Sequence, residues 1–309
     1  MTLLDYLEQH GWKIVRDSGR DEVAGLCPLH RESRPSFYVN RRKQVFYCHG
    51  CGRGGGLRRL IQWLEDMPAP PDEGEAGADL LEHTYRFYQQ RLHHSEEART
   101  YLAARGIHDP AIIERMRIGY APGACLRAHL ARLGYARRAM VEHGLVDASG
   151  RDALFRCITF PLGESENLYG RSLNQGPWRH RFLPGSKGGL YGLRQTLGLP
   201  HVIVVEGLFD VAALWQAGFD AAVAALGSHL NNWQLAELCS SGRRLTYICF
   251  DADRNHSGQS AAHRLSIQLR HAGVESLLVQ LPCGHDPASF FAAGAGAADF
   301  QRCLNEARP

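Results

Sequence analysis

Two stretches place carboxylates where an apolar run breaks off. HVIVVEGLFDVAAL (201–214) carries Glu206, and YICFDADRNHSGQSAA (247–262) carries Asp251 and Asp253. Each begins with β-branched and apolar residues that read as a buried strand of a parallel sheet. Each continues with helical spacing, Leu208–Ala217 in one and Gly258–Arg270 in the other. Open α/β sheets bind ligands beyond the carboxyl ends of their strands. Three acids gathered there form a hard oxygen donor set suited to Mg²⁺ or Mn²⁺.

A second constellation lies near the start. Two residues lie between Cys27 and His30 and between Cys48 and Cys51, and seventeen residues separate the pairs. Two such knuckles, joined by antiparallel strands over 36–40 and 44–47, close a tetrahedral site around one structural zinc ion. His49 competes for the fourth position but lies inside the second knuckle, which it would distort. The zinc would hold a domain too small to be stabilised by its core alone. Arg34, Phe37, Arg41, Arg42, Lys43 and Phe46 interleave cations with aromatic rings around it, a mixture suited to single-stranded nucleic acid. The plainer reading is solvated surface charge, with Phe37 and Phe46 as core.

The intervening elements must position these groups. A short helix covers 2–10, a glycine-rich lead-in at 52–56 precedes a helix at 57–65, and DMPAPPDEGEAGAD (66–79) reads as a flexible linker. Helical spacing runs from Leu80 to Arg105 in two pieces. Asp109-Pro110 supplies the N-cap and first position of another helix. Helices follow at 126–133 and 135–143, then strands at 158–162 and 168–172. From 202 onward strands and helices alternate, which predicts a parallel sheet with right-handed crossovers. The domain plan is thus 1–65, zinc-binding; 66–79, linker; 80–200, a mixed α+β basic subdomain; and 201–309, a Rossmann-like parallel α/β module.

Composition is compatible with this plan. Of 309 residues 44% are hydrophobic and 22% charged, with a formal net charge of +3, which permits nucleic-acid binding without arguing for it. There is no apolar run of roughly 18 residues, and MTLLDYLEQHGW lacks the pattern of a signal peptide. A cytoplasmic address with no membrane association follows, and there nine cysteines serve as ligands or core thiols.

These residues resemble a family. CPLHRESRPSFYVN and QVFYCHGCGRGGG are similar to the zinc-binding domain of bacterial DnaG-type primases, and ARTYLAARGIHDPAIIERMRIGYAPG to the start of their RNA polymerase domain. ITFPLGESENLYGRSL and GSKGGLYGL resemble its basic ridge; VVEGLFD, FDADR and GHDPASF resemble its Toprim module. The motifs occur in the family's order. The resemblance implies an enzyme that joins ribonucleoside triphosphates on a single-stranded DNA template, in the replication-associated cytoplasm of a bacterium. It implies Glu206, Asp251 and Asp253 as metal-site acids, Asp210 and Asp286 as further acids of the same face, and Arg115, Arg171 and Lys187 as phosphate-holding cations. Arg117 is an alternative to Arg115. Where the family's last acidic motif has a second Asp, this chain has Ala288. The expected partner is a replicative helicase or an element-encoded replication protein, because the chain stops soon after the Toprim-like stretch and looks like a mobile-element version without the helicase-binding domain.

Two other readings compete. A Toprim-type nuclease would share the acids but would not need the ITFP and GSKGGLYGL segments. A catalytically weak DNA-binding recruitment factor is kept open by Ala288 and opposed by the intact Glu206, Asp251 and Asp253.

Overall fold

The computed structural model describes residues 2–17, 19, 21–29, 35–49, 53–65, 73–162, 167–174, 179–240, 245–254 and 256–309. They fall into two compact units, Met1–Ala76 and Gly77–Pro309. Among the described residues no helix is long and apolar enough to cross a membrane.

In the first unit Thr2 starts helix α1 (Leu3–Gln9) through a reciprocal capping box with Asp5. Five short strands follow: β1 (Arg16–Asp17), β2 (Glu22–Gly25), β3 (Phe37–Asn40), β4 (Val45–Cys48) and β5 (Gly54–Gly56). They pair antiparallel in chain order, and helix α2 (Leu57–Glu65) follows. Alternation along β3 and β4 turns Phe37, Val39, Phe46 and Cys48 inward, where they pack with Leu3, Leu7, Leu29 and Leu60.

Helix α3 spans Glu73–His93, of which Gly77 onward belongs to the second unit. Residues 73–79, expected as linker, are therefore helical, while 66–72 lie outside the described residues. Helix α4 (Glu96–Ala104) starts at the Ser95 cap, and α5 (Pro110–Arg115) at Asp109 with proline in its first turn. Strands β6 (Gly119–Ala121), β7 (Cys157–Leu162), β8 (Asn167–Ser172) and β9 (His180–Phe182) form an antiparallel sheet in chain order. Helices α6 (Leu126–Arg132) and α7 (Arg137–Glu142) precede β7.

The last third is a four-stranded parallel sheet. It comprises β10 (His201–Val205), α8 (Leu208–Gln216), β11 (Ala222–Ala224), α9 (Asn232–Ser240), β12 (Leu245–Ile248), α10 (Ser257–His271) and β13 (Glu275–Leu278). Two further helices, α11 (Pro287–Ala292) and α12 (Ala297–Asn305), complete it. The strand order is β11-β10-β12-β13. Every residue of α8 from Leu208 to Trp215 is buried. Its Phe209 shares one core with Phe160 of β7, Tyr169 of β8 and Val205 of β10, which joins the antiparallel sheet to the parallel one.

Candidate active site

The chain leaves β10 for β11 on one side and returns to the other side of β10 for β12. The carboxyl ends of β10 and β12 therefore flank the point where strand order reverses, which opens a crevice. Glu206 follows β10 directly, and Asp251 lies just beyond β12. The Asp251 N–H donates to Glu206 Oε1 at 3.2 Å. Helix α10 begins close behind: a Cβ on Gly258 would lie 2.2 Å from the Asp251 carbonyl oxygen, so glycine is what lets this backbone approach.

A cavity of about 530 Å³ opens here. Its acidic wall holds Glu206, Asp210, Asp251 and Asp286, and Arg105, Arg171 and Lys187 also line it. Burial first, and then the charges of Glu206, Asp286 and Asp253, together raise the Asp251 carboxyl to about 7. Glu206 is raised by burial and by Asp253 and Asp286, against a lowering hydrogen bond from Asp251. Asp210, 6% exposed, is raised well above the carboxylate range by burial and by its Asp286 and Asp251 neighbours. Its two oxygens accept from the Gly207 N–H at 3.0 Å and the Ala288 N–H at 3.1 Å. Asp286 caps α11, accepting the Ser289 N–H at 2.6 Å.

Asp253 sits differently. It is exposed, accepts the Ser257 hydroxyl at 3.0 Å, and acts on the cavity acids through its charge. Among the described residues no three His, Cys, Asp or Glu side chains stand close enough to form a ready-made metal cage. A cation nevertheless suits the acids. Asp251 Oδ1 is buried without a hydrogen-bond partner, and an orphaned oxygen among mutually repelling carboxylates is what a divalent ion would satisfy.

The cavity cations are held by ring faces. Lys187 Nζ lies 4.1 Å from the Phe182 ring centre, and the Arg105 guanidinium 5.5 Å from that of Tyr101 and 5.3 Å from that of Phe209. Arg171 contacts Tyr101 Oη at 3.4 Å and His180 Nε2 at 2.5 Å. Arg115, expected at the phosphates, instead pairs with Asp220 at 2.5 Å and covers the Trp215 ring, and it does not line the cavity. Arg117 pairs with Glu82 at 2.8 Å. Arg105, which falls inside the ARTYLAARGIHDPAIIERMRIGYAPG stretch without an assigned role there, lines the cavity instead.

In the zinc-binding region, Cys27 and Cys48 are buried. The Leu29 N–H donates to Cys27 Sγ at 3.4 Å, and Ser36 Oγ lies 3.2 Å from Cys48 Sγ. An amide two residues past a cysteine, turned toward its sulfur, suits a thiolate knuckle. His30, Cys51 and Arg34 lie outside the described residues. His49 stands edge-on to Tyr38 and Tyr47, ring centres 5.2 and 4.9 Å away. The expectation that Phe37 and Phe46 stack on bases is corrected: they are 0% and 3% exposed and stack on each other. The opposite face of the same strands offers Tyr38 and Tyr47, paired across β3 and β4, with Tyr47 48% exposed. Lys43 is exposed in the turn between them.

Family comparisons match the chain in three consecutive parts. Residues 9–68 match the CHC2 zinc finger, 87–171 the N-terminal domain of the DNA primase catalytic core, and 203–291 a Toprim-like module. In this order they are the parts of a DnaG-type primase, and the chain is similar to that family over most of its length. The matches imply zinc for the first part and a divalent metal for the last. The DNA primase of Pasteurella multocida is 30% identical over 95% of this chain, which spans 58% of that protein's length. The zinc-binding and RNA polymerase domains of the Aquifex aeolicus primase superpose with a TM-score of 0.67 at 26% identity, covering 100% of this chain and 83% of that one. The RNA polymerase domain of Mycobacterium tuberculosis primase in complex with double-stranded DNA gives 0.65 at 25%, covering 75% and 81%.

Proposed function

We propose that this primase-like chain joins ribonucleoside triphosphates on a single-stranded DNA template in the cytoplasm, with a replicative helicase or element-encoded replication protein as its partner. The observation that carries the reading is the cavity itself. Buried carboxylates line it together with three cations, Arg105, Arg171 and Lys187, that no carboxylate neutralises among the described residues. Elsewhere the arginines at 41, 86, 115, 117, 138, 151, 156 and 302 are paired with acids. Unpaired cations beside clustered acids suit a polyphosphate and the metal that accompanies it.

Glu206 and Asp251 would hold Mg²⁺ or Mn²⁺, with Asp253 and Asp286 contributing charge at the rim. Such an ion supplies charge stabilisation for the attacking and leaving oxygens of nucleotidyl transfer. Lys187, Arg105 and Arg171 bind the triphosphate and oppose the charge that builds on it as pyrophosphate departs. Asp210 makes no free ligand; both of its oxygens are committed to backbone amides, and it holds the loop after β10 against α11. Cys27, His30, Cys48 and Cys51 would hold one structural zinc ion, and Tyr38, Tyr47 and Lys43 would contact template bases and phosphates.

The test is a priming assay on single-stranded templates with the four ribonucleotides and Mg²⁺ or Mn²⁺. Short RNA that disappears with Asp251→Ala is the expected result. Cleavage of the template with no RNA made would transfer the site to a nuclease, and DNA binding with neither product would favour the recruitment factor.

A further inference from the structure

Tyr169 and Arg171 alternate onto one face of β8. Across the ladder Phe182 stands opposite Tyr169 and His180 opposite Arg171. All four side chains line the cavity. His180 bridges two of them: its Nε2 is 2.5 Å from Arg171 Nη1 and its Nδ1 is 2.9 Å from Tyr169 Oη.

The proton positions in this chain follow from valence. A guanidinium only donates, so His180 Nε2 must present its lone pair to Arg171. A neutral imidazole then carries its hydrogen on Nδ1 and donates it to Tyr169 Oη. A doubly protonated ring would turn an N–H toward the Arg171 N–H and leave that contact without an acceptor. The surroundings agree, since burial and the charges of Arg171, Arg105, Lys187 and Arg179 all lower the basicity of His180. The Tyr169 oxygen is thereby filled by a donor, and among the described residues no group accepts the hydroxyl hydrogen. Tyr169 cannot readily shed that proton either, because burial raises its phenol to about 12.

We propose that Tyr169 donates its hydroxyl hydrogen to a phosphate oxygen of a nucleoside triphosphate bound in the cavity, and that His180 is the positioning residue that directs this donation. The inference rests on the primase reading for its substrate class. Its geometry adds that Arg171 acts twice, as a cation facing the phosphates and as the group that fixes the His180 tautomer. Tyr169 lies inside the ridge-like ITFPLGESENLYGRSL stretch without an assigned role, and His180 lies outside every quoted stretch.

The test measures two things in parallel: Kd for GTP carrying a fluorescent ribose tag, with Mg²⁺ present, and KM and kcat for GTP in RNA synthesis. Losing one charge-assisted hydrogen bond corresponds to roughly tenfold in affinity. Tyr169→Phe is expected to weaken Kd and raise KM by about that factor with kcat little changed. His180→Ala should do the same, and the double variant should be no worse than His180→Ala alone. His180→Gln, whose amide supplies one acceptor for Arg171 and one donor for Tyr169, should return Kd to within about threefold of wild type. Wild-type Kd and KM in Tyr169→Phe would overturn the proposal, as would multiplicative losses in the double variant or no rescue by His180→Gln. A wild-type protein that binds GTP and makes no RNA would overturn the primase reading alone, and the Kd series would still decide the role of Tyr169.

Discussion

Asp210 and Ala288, 78 residues apart, are joined by a hydrogen bond from the Ala288 N–H to Asp210 Oδ1 at 3.1 Å. Ala288 is 1% exposed, so its methyl group packs into the core. A carboxylate at 288 would be buried beside an Asp210 whose carboxyl burial already pushes well above its usual range. Asp210→Ala leaves two amides without acceptors and is expected to cost about 1–3 kcal/mol, while RNA synthesis falls roughly tenfold and persists. Ala288→Asp is expected to cost about 2–4 kcal/mol without metal and to regain part of that with Mn²⁺. Urea unfolding with and without metal checks both; an Ala288→Asp protein as stable as wild type in chelator would contradict the account.

Gly258 sets the position of Asp251. A methyl group there collides with the Asp251 carbonyl at 2.2 Å, so Gly258→Ala must displace the Asp251 backbone or the start of α10. RNA synthesis is expected to fall by about a hundredfold, the scale of a misplaced catalytic group, with the zinc content unchanged. Retention of near-wild-type kcat would show that the close approach does not govern the site.

The acids also set a pH dependence. The Asp251 carboxyl has its proton affinity raised from 3.8 to about 7 on folding, so between these values the native state binds more protons than the unfolded one. Stability then falls as pH rises from about 4 to about 7, and Glu206 and Asp210 shift in the same direction. Protein in chelator should unfold at lower urea at pH 8 than at pH 5.5. Asp251→Asn should flatten that slope and stabilise the chelated protein at pH 8 by roughly 1–3 kcal/mol, although it abolishes synthesis. A slope indifferent to Asp251→Asn would mean that other groups carry it.

Arg105 and Arg115 exchange their expected importance. Arg105 lines the cavity without a carboxylate partner, whereas Arg115 is occupied by Asp220 and Trp215. Arg105→Ala should raise the nucleotide KM about tenfold or more. Arg115→Ala should cost about 1 kcal/mol of stability with a smaller KM effect. Steady-state kinetics beside thermal unfolding distinguishes them, and the reverse ranking would restore Arg115 to the phosphates.

For the zinc-binding part, Tyr47→Ala should weaken binding of single-stranded DNA about five- to tenfold, in line with loss of one base stack, with zinc retained. Phe46→Ala should instead unfold the small domain, and Cys48→Ser should release one equivalent of zinc in elemental analysis. Equal DNA affinity in Tyr47→Ala would leave the exposed sheet face without this role.

Much of the fold was readable where side chains alternate or repeat. The strand ends that bear Glu206 and Asp251 stood out because a buried apolar run terminates in a carboxylate. β1 and β5 were not readable, one being two residues long and the other three glycines without side chains to alternate. Phe37 and Phe46 were misplaced by composition, although the period of two puts them on the core side and Tyr38 and Tyr47 outside. Asp210 was expected among the acids of the metal-site face, and only the tertiary packing of α11 against α8 buries it and commits its oxygens to backbone amides. Arg105 sits in a family-like stretch that assigns it no role, and His180 lies outside every such stretch; both acquire meaning only from partners on other elements.

The register of β10 against β12, which aligns Val204 with Ile248, has a consequence for how this site can vary. Adjacent strands keep a fixed separation of about 4.8 Å, so the span between Glu206 and Asp251 is measured by the backbone ladder. The intervening segment, from α8 through β11 and α9, can lengthen or shorten without resetting that ruler. Substitutions that slip the ladder by one residue would turn every strand side chain to the opposite face, so the spacing of the acids is protected by the same register that holds the core together.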